Sequence, residues 1–315
     1  GYGDSQGNLD LREAIVQREY EKHGATISPD DVYVTSGVSE CINLLMGTFL
    51  EPGDEVLVPG PGYPSYAQYI NFYEGRVVPY RMIEEEDWRP DVDMIRKRIT
   101  DSTKAMVLIN PNNPTGQVIP LADIETILEA AKKLGVAVIV DEAYGEYMPK
   151  ENSAVSLFQK YDNLLVPKTF SKGFGFAGMR AGYILMPASL NPYMTNITNP
   201  YCMSELSRAV AAKTIRNEAF LDELREETAR LKRMILDHPW KNISAAETAD
   251  SVSITLLIHK NPDVDMAAEF AKFRIWVYSG CDFDTLTKNT CRFRVPAAKD
   301  MDRVMEALKA IDELD

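Results

Sequence analysis

A lysine in a glycine-rich segment is the residue best suited to covalent chemistry in this sequence. Lys172 lies in Thr-Phe-Ser-Lys-Gly-Phe-Gly-Phe-Ala-Gly-Met-Arg-Ala-Gly-Tyr, residues 169–183. Burial at the end of a strand would lower the pKa of such an amine and make it a nucleophile toward carbonyl compounds. Thr169 and Arg180 add a hydroxyl and a fixed positive charge, two groups that suit a phosphate. An isolated lysine in a loop is usually a solvated surface residue, so the neighbouring motifs decide the interpretation.

An acid follows a continuous apolar run at residues 137–140. Asp141 ends the segment Ala-Val-Ile-Val-Asp, and Tyr144 comes three residues later. A carboxylate buried at the end of a strand is costly unless a positive group pairs with it, and a protonated ring nitrogen is such a group. The alternative is that Asp141 caps a following helix. With Lys172 elsewhere in the chain, the pairing role is favoured.

Two further segments place polar groups after apolar runs. Residues 110–116 read Asn-Pro-Asn-Asn-Pro-Thr-Gly, with Asn113 at the centre, although clusters of this composition usually form simple turns. Val38 and Ser39 open a predicted helix, and the backbone N–H groups at a helix N-terminus bind anions readily. Helix capping by Ser39 is the alternative. Each segment is a candidate part of one site.

Aromatic and basic side chains extend this candidate site. Tyr63 follows a third apolar run and adds an aromatic ring to the candidate site, whereas Tyr66 is interpreted as a core residue. Near the C-terminus, Arg292 and Arg294 belong to Cys-Arg-Phe-Arg-Val-Pro-Ala, residues 291–297. Strand alternation puts both arginines on one face and Phe293 on the other, so alternation alone does not choose between them.

Alternating strands and helices position these residues. After a first helix over residues 8–22, we predict strands at 32–35, 55–58, 76–80, 105–109, 136–140, 163–166 and 181–185, with helices at 39–50, 66–72, 92–99 and 121–134. Several strands are continuous apolar runs, which is typical of strands buried on both faces. The fold class is therefore α/β, a mostly parallel central sheet sandwiched by helices. In such sheets ligands bind outside the carboxyl ends of the strands, where the motifs fall.

The C-terminal part predicts a second, smaller unit. One helical stretch over residues 205–236 precedes strands near 251–258 and 292–295 and helices near 264–272 and 300–314. We expect a large domain over residues 1–236 and a small α+β domain over residues 237–315.

Composition excludes several classes of protein. The formal net charge is −13, and without a basic stripe such a surface repels nucleic acid. No apolar run reaches the roughly 20 residues that a membrane helix needs, and no signal peptide opens the chain, so we expect a cytoplasmic protein. The spacing of cysteines and histidines predicts neither a disulfide framework nor a metal site.

The motifs, and the order in which they occur along the chain, resemble those of class I/II aminotransferases, which are pyridoxal 5′-phosphate (PLP) enzymes of fold type I. The resemblance covers essentially the whole chain and is greatest to the archaeal-type aspartate aminotransferase-like branch. It implies that Lys172 holds PLP as a Schiff base and carries the proton during catalysis. It also implies transfer of the amino group of an L-amino acid to a 2-oxo acid by a ping-pong mechanism, with glutamate and 2-oxoglutarate as one pair.

The resemblance also assigns roles to the other motif residues. Asp141 would bind the ring nitrogen, and Tyr144 and Asn113 the phenolic oxygen. Tyr63 would stack on the ring. Arg294, selected over Arg292 by the family's Arg-[Ile/Leu/Val]-[Ser/Ala/Pro] pattern, would bind the substrate α-carboxylate near Asn113. Four residues of the same subunit would hold the phosphate: Val38, Ser39, Thr169 and Arg180. Tyr2 would reach the phosphate of the neighbouring subunit, which implies a homodimer.

Three expectations accompany this assignment. Family members usually carry several dozen residues before the position of Tyr2, so we expect the pocket formed by these residues to be incomplete on that side. The same scaffold also supports decarboxylation or C–S bond cleavage, which the sequence does not separate from transamination. A PLP-sensing regulatory module fused to a DNA-binding domain is a further alternative, but the negative charge and the lack of a basic helix-turn-helix segment count against it.

Overall fold

The computed structural model describes residues 4–314 and contains two β-sheets. The strands of the larger sheet are β1 (Val32–Thr35), β2 (Glu55–Gly60), β3 (Arg76–Ile83), β4 (Arg89–Pro90), β5 (Thr103–Ile109), β6 (Ala137–Asp141), β7 (Leu164–Thr169) and β8 (Gly182–Leu185). In space they follow the order β1-β8-β7-β6-β5-β2-β3-β4. The pairs from β3 through β2, β5 and β6 to β7 are parallel, whereas β8 is antiparallel to both β7 and β1, and β4 is antiparallel to β3. The prediction of a mostly parallel sheet is confirmed.

The strand directions bring the ends of distant segments together. Because β8 is antiparallel to both of its neighbours, β1 runs in the same direction as β7, β6, β5 and β2. The carboxyl ends of these five strands therefore lie at one edge of the sheet, and β8 begins at that edge. In an open α/β sheet, this edge is where ligands bind.

Helices cover both faces of the larger sheet. The helices of the described chain are α1 (Leu9–His23), α2 (Val38–Phe49), α3 (Ser65–Phe72), α4 (Val92–Arg98), α5 (Leu121–Lys133), α6 (Asn191–Ile197), α7 (Glu205–Thr214), α8 (Glu218–Leu236), α9 (Met266–Lys272) and α10 (Met301–Asp312), of which α9 and α10 pack on the smaller sheet. Val138 and Val140 of β6 share a buried cluster with Leu128 of α5, whereas Ile139 between them packs in a second cluster with Ile42 of α2. Alternate residues of one strand thus enter two cores, which explains why its sequence is apolar throughout.

The smaller sheet is antiparallel. Its strands are β9 (Ile243–Ala245), β10 (Ile254–His259), β11 (Tyr278–Ser279) and β12 (Thr290–Arg294), in the order β11-β12-β10-β9. Leu257, Phe270, Phe293 and Leu308 form its core with α9 and α10. All four strands lie inside the segment 237–315 predicted as a small α+β domain, although the boundary at residue 236 stays a prediction.

The helical part before the smaller sheet differs from the sequence prediction. The stretch 205–236 is two helices rather than one, since α7 ends before Ile215 and α8 begins after Asn217. The side chain of Asn217 accepts a hydrogen bond from the backbone N–H of Phe220, which caps the start of α8. The prediction also lacked α6, a helix of 7 residues with a proline in its first turn.

The cysteines are free thiols, with Cys41 and Cys291 buried and Cys281 exposed. No group of three or more histidine, cysteine or acidic residues in the described chain is arranged to hold a metal ion. Within residues 4–314, no helix has the length and apolarity that crossing a bilayer requires.

A buried ion network lies under the carboxyl edge of the larger sheet, on the side of α1. It consists of three basic and three acidic side chains, each at most 7% exposed: Arg18, Lys22, Lys168, Glu19, Glu142 and Glu146. Lys168 Nζ lies 3.0 Å from Glu142 Oε2 and 3.6 Å from Glu146 Oε1. The balance of charge matters because a buried ion that loses its partner costs about 3–5 kcal/mol.

His23 borders this network and is held neutral. Burial lowers its pKa from the usual 6.5 to about 3, despite the opposing attraction of Glu19. Between pH 6.5 and pH 3, His23 is therefore protonated in the unfolded chain but neutral in the folded chain. The free energy of unfolding decreases as the pH falls through this range.

We expect His23→Gln to remove this acid sensitivity. The unfolding free energy of the variant relative to wild type should rise by about 2–3 kcal/mol between pH 7 and pH 4.5, the difference expected from the two pKa values. Urea unfolding of both proteins at the two pH values measures it. Asp141, whose pKa is raised to about 6 by burial, acts with the opposite sign but cancels in the comparison. An unchanged difference would contradict a buried, neutral His23.

Candidate active site

One cavity of about 270 Å³ opens at the carboxyl edge of the larger sheet, facing the smaller sheet. It is lined by residues from seven separate segments of the chain: Val38, Ser39, Tyr63, Ile109, Asn113, Asp141, Ala143, Tyr144, Thr169, Ser171, Lys172, Ala177, Arg180, Tyr278 and Arg292. Nearly all of the residues singled out in the sequence are among them. Tyr2 lies outside the described residues, and Arg294 does not line the cavity.

Lys172 lies three residues after the end of β7. Burial lowers the pKa of its amine, and the charge of Arg292 lowers it further. Its Nζ atom is 5.4 Å from the centroid of the Tyr144 ring. A lysine with a depressed pKa is neutral in a larger fraction of molecules, so it is both a nucleophile and a proton acceptor.

Asp141 ends β6 and is 2% exposed. Its Oδ1 atom accepts a hydrogen bond from the backbone N–H of Ala143 (2.8 Å), and burial raises its pKa to about 6. No salt bridge reaches this carboxylate from the part of the chain that the structure describes. An acid buried in this way would gain stability from a cationic hydrogen-bond donor in the cavity.

Tyr66 holds the other oxygen of Asp141, a role that the sequence analysis missed. Its hydroxyl donates to Asp141 Oδ2 over 2.8 Å, and the side chain is fully buried. The prediction that Tyr66 is a core residue was correct for its ring, but it did not include the hydrogen bond that its hydroxyl donates. Tyr66 lies three residues after Tyr63, in the first turn of α3, but a pattern of apolar residues does not show which group a buried hydroxyl bonds to.

Polar groups gather at one end of the cavity, where α2 begins. Val38 and Ser39 form the first turn of this helix, whose N–H groups have no partners within the helix. The Thr169 and Ser171 hydroxyls lie 3.0 Å apart, and Arg180 lines the same end. This set of donors is suited to an anion.

Gly37 allows these groups to approach each other. It has a φ of +105°, and a Cβ atom at this position would lie 2.9 Å from Nη2 of Arg180. A side chain at residue 37 would therefore displace the guanidinium as well as strain the backbone.

Arg292, rather than Arg294, enters the cavity. Its Nη1 atom donates to Oδ1 of Asn113 over 3.1 Å, whereas Arg294 is exposed two residues further along β12. The two side chains share a face, as strand alternation indicated, but only Arg292 is deep enough to meet Asn113. The choice of Arg294 from the family pattern therefore differs from the geometry, although the charge of Arg294 still helps to lower the pKa of Lys172.

Comparison with known proteins assigns the family. The sequence model of the protein family described as aminotransferase class I and II matches residues 1–311 of this chain. The chain belongs to the class I and II aminotransferases.

Relatives and solved structures agree with this family. The chain is 28% identical over 300 residues to a histidinol-phosphate aminotransferase of Methanocaldococcus jannaschii, covering 94% of this chain and 79% of that protein. It is 30% identical over 252 residues to an aspartate aminotransferase of Pyrococcus abyssi, covering 77% and 64% of the two chains. The structure of an alanine aminotransferase from Pyrococcus furiosus superposes with a TM-score of 0.88 at 32% identity, covering 100% of this chain and 84% of that one.

The protein is thus an aminotransferase of fold type I, and enzymes of this kind use PLP. The cavity residues of this class I/II aminotransferase fit that cofactor. Lys172 offers an amine to an aldehyde. Asp141, which forms no salt bridge within residues 4–314, offers a buried carboxylate to a ring nitrogen. The helix start at Val38, together with Arg180, offers donors to a phosphate. The amine, the acid and the phosphate donors line the same cavity, as they must if a single PLP molecule contacts all three.

Proposed function

We propose that this aminotransferase moves the amino group of an L-amino acid to a 2-oxo acid in two half-reactions at one site, with glutamate and 2-oxoglutarate as one of its pairs. The observation that carries the proposal is the position of Lys172 in a cavity that also holds a buried acid and two arginines. A histidinol-phosphate, an aspartate and an alanine aminotransferase are all among its relatives, so the other pair is not assigned.

Lys172 is the proposed anchor and the proposed proton carrier. When bound, PLP supplies an aldehyde that condenses with amines and a ring that accepts electrons from the substrate Cα. The Lys172 amine would hold the cofactor and, once the substrate amine has replaced it, would accept the proton of the substrate Cα. Its lowered pKa supports this role because the amine must be neutral to accept the proton.

Asp141 would keep the proton on the ring nitrogen. A carboxylate with two hydrogen-bond donors, Tyr66 and Ala143, is fixed in position and has lone pairs left for a third. Its raised pKa falls when a positive group binds, so the pairing stabilises the charges on both partners.

The remaining cavity residues would orient the cofactor. We assign the phosphate to the N-terminal turn of α2 at Val38 and Ser39, with Thr169 and Arg180 beside it, and the phenolic oxygen to Asn113 and Tyr144. Tyr63 would lie against the ring. Burial raises the pKa of Tyr144, so its hydroxyl remains a hydrogen-bond donor at neutral pH.

Arg292 is the proposed partner of the substrate α-carboxylate. Its Nε atom is buried and has no hydrogen-bond partner in the described chain, which leaves a donor for a carboxylate. Amino acids and 2-oxo acids share this carboxylate, so one arginine serves both half-reactions. Arg294, exposed at the same face, would then meet the second carboxylate of glutamate.

Three assignments from the sequence stay proposals. A homodimer is supported by exposed apolar side chains on α3 and α6, namely Phe72, Tyr193 and Ile197, and sedimentation of the purified protein measures it. We also propose the two-domain division at residue 236 and a cytoplasmic location.

An absorption spectrum with PLP tests the proposed activity. The PLP-loaded protein should show a band at the edge of the visible range that shifts to the pyridoxamine form when an L-amino acid is added, and 2-oxoglutarate should restore it. Glutamate, aspartate, alanine and phenylalanine are compared as donors. A band that no amino acid shifts would contradict transamination, and a product containing CO₂, or ammonia with pyruvate, would instead favour decarboxylation or C–S cleavage.

A further inference from the structure

We propose that Tyr278 is a positioning residue that holds the guanidinium of Arg292 ready for the substrate carboxylate. This inference rests on the proposed role of Arg292 and adds how that side chain is kept in place. Tyr278 belongs to β11, the edge strand of the smaller sheet, and lines the same cavity.

The register of the smaller sheet makes Tyr278 and Arg292 direct neighbours. The two residues are paired across the antiparallel strands β11 and β12. Directly opposite residues project from the same face of a sheet, within reach of each other's side chains. The Arg292 guanidinium carbon lies 4.1 Å from the centroid of the Tyr278 ring. This distance is a stacking contact of a cation on an aromatic face.

Stacking fixes Arg292 without consuming its hydrogen-bond donors. Asn113 takes one N–H of Arg292, and Tyr278 covers one face of the planar group. No described acidic side chain forms a salt bridge with Arg292, and Nε stays unpartnered. An acid in place of Tyr278 would hold the arginine equally well but would compete with the substrate carboxylate. The aromatic ring therefore orders the side chain and leaves its charge free.

The arrangement also acts on the reacting amine. The charge of Arg292 lowers the pKa of Lys172, and its effect is larger than that of any other charged group. Tyr278 keeps Arg292 facing the cavity, so it indirectly maintains that electrostatic effect. An unrestrained arginine would turn toward solvent, since the ring that covers it is itself 56% exposed at the mouth of the cavity.

The test compares Tyr278→Ala with Tyr278→Phe in the PLP-loaded enzyme. We expect Tyr278→Ala to raise the dissociation constant of L-alanine, read from the spectral shift, by roughly three- to tenfold. KM should rise with it, and the pH at which kcat reaches half its maximum should move upward because Arg292 then lowers the pKa of Lys172 less, whereas PLP affinity should change little. Tyr278→Phe keeps the ring and should restore most of the affinity. Binding of ethylamine, an amine without a carboxylate, should be the same in all variants.

Two further variants separate this proposal from the one on which it rests. Trp276→Ala alters an exposed aromatic residue two positions away that does not line the cavity, and it should match wild type. Arg292→Met should weaken the binding of L-alanine more than Tyr278→Ala does. If Arg292→Met weakens the binding of L-alanine and Tyr278→Ala does not, the positioning role of Tyr278 is overturned and the carboxylate-binding role of Arg292 stands. If Arg292→Met has no effect, both are overturned. Equal losses in the Ala and Phe variants would overturn the stacking role.

Discussion

Replacing Lys172 with alanine should reduce transamination by about 10⁴-fold or more, because one side chain provides both the covalent anchor and the general base. The lysine lies at the end of β7 in the cavity, and burial together with Arg292 lowers its pKa. Activity is measured as 2-oxo acid formation by the PLP-loaded protein. The variant should still bind PLP, because the phosphate and ring contacts remain, but more weakly than wild type.

The matched control is Lys309→Ala, which removes a lysine from the exposed face of α10. It should leave both activity and PLP binding unchanged. Lys172 is only partly exposed and takes no part in the buried ion network, so the thermal stability of Lys172→Ala without cofactor should remain close to wild type. Normal transamination by Lys172→Ala would refute its assignment.

Replacing Asp141 with asparagine should have the second largest effect, a loss of about 10- to 10²-fold in kcat/KM. Asparagine keeps the shape but not the charge, and a hydrogen bond to a charged group contributes about 1.5–3 kcal/mol. Without the carboxylate, the ring nitrogen would lose the group that keeps its proton, and electron acceptance from Cα would weaken. The absorption band of the bound cofactor should also titrate at a different pH.

Tyr66→Phe provides a graded comparison for Asp141. It removes one donor from Asp141 Oδ2 and leaves the buried ring in place. The pKa of Asp141 should rise further, since Tyr66 lowers it now, and the activity loss should be smaller than that of Asp141→Asn. Tyr69→Phe, on the same helix and partly buried, is the control. An Asp141→Asn variant as active as wild type would contradict pairing with the ring nitrogen.

Most of the central sheet could be predicted because its strands carry their own signal. The segments 32–35, 105–109 and 181–185 are apolar on both faces, and the structure contains strands there at β1, β5 and β8. The carboxyl-edge rule then placed Asn113, Asp141 and Lys172 together, and the cavity contains all three.

Pairings between distant side chains could not be predicted in the same way. Strand alternation placed Arg292 and Arg294 on one face of the sheet but did not show which side chain is buried. Only the structure shows that Arg292 is the one that reaches Asn113. The buried ion network joins Arg18 of α1 to Glu146, far apart in the chain, and no local pattern encodes such a contact. The break before α8 depended on one capping side chain, Asn217, within an otherwise helical composition.

Trapping the covalent bond between PLP and the protein shows directly whether Lys172 carries the cofactor. The protein is loaded with PLP, reduced with borohydride to make the link permanent, digested and analysed by peptide mass spectrometry. We expect one pyridoxyl-modified lysine, Lys172, and no such modification when L-glutamate is added in excess before reduction. Modification of another lysine in place of Lys172 would contradict this expectation.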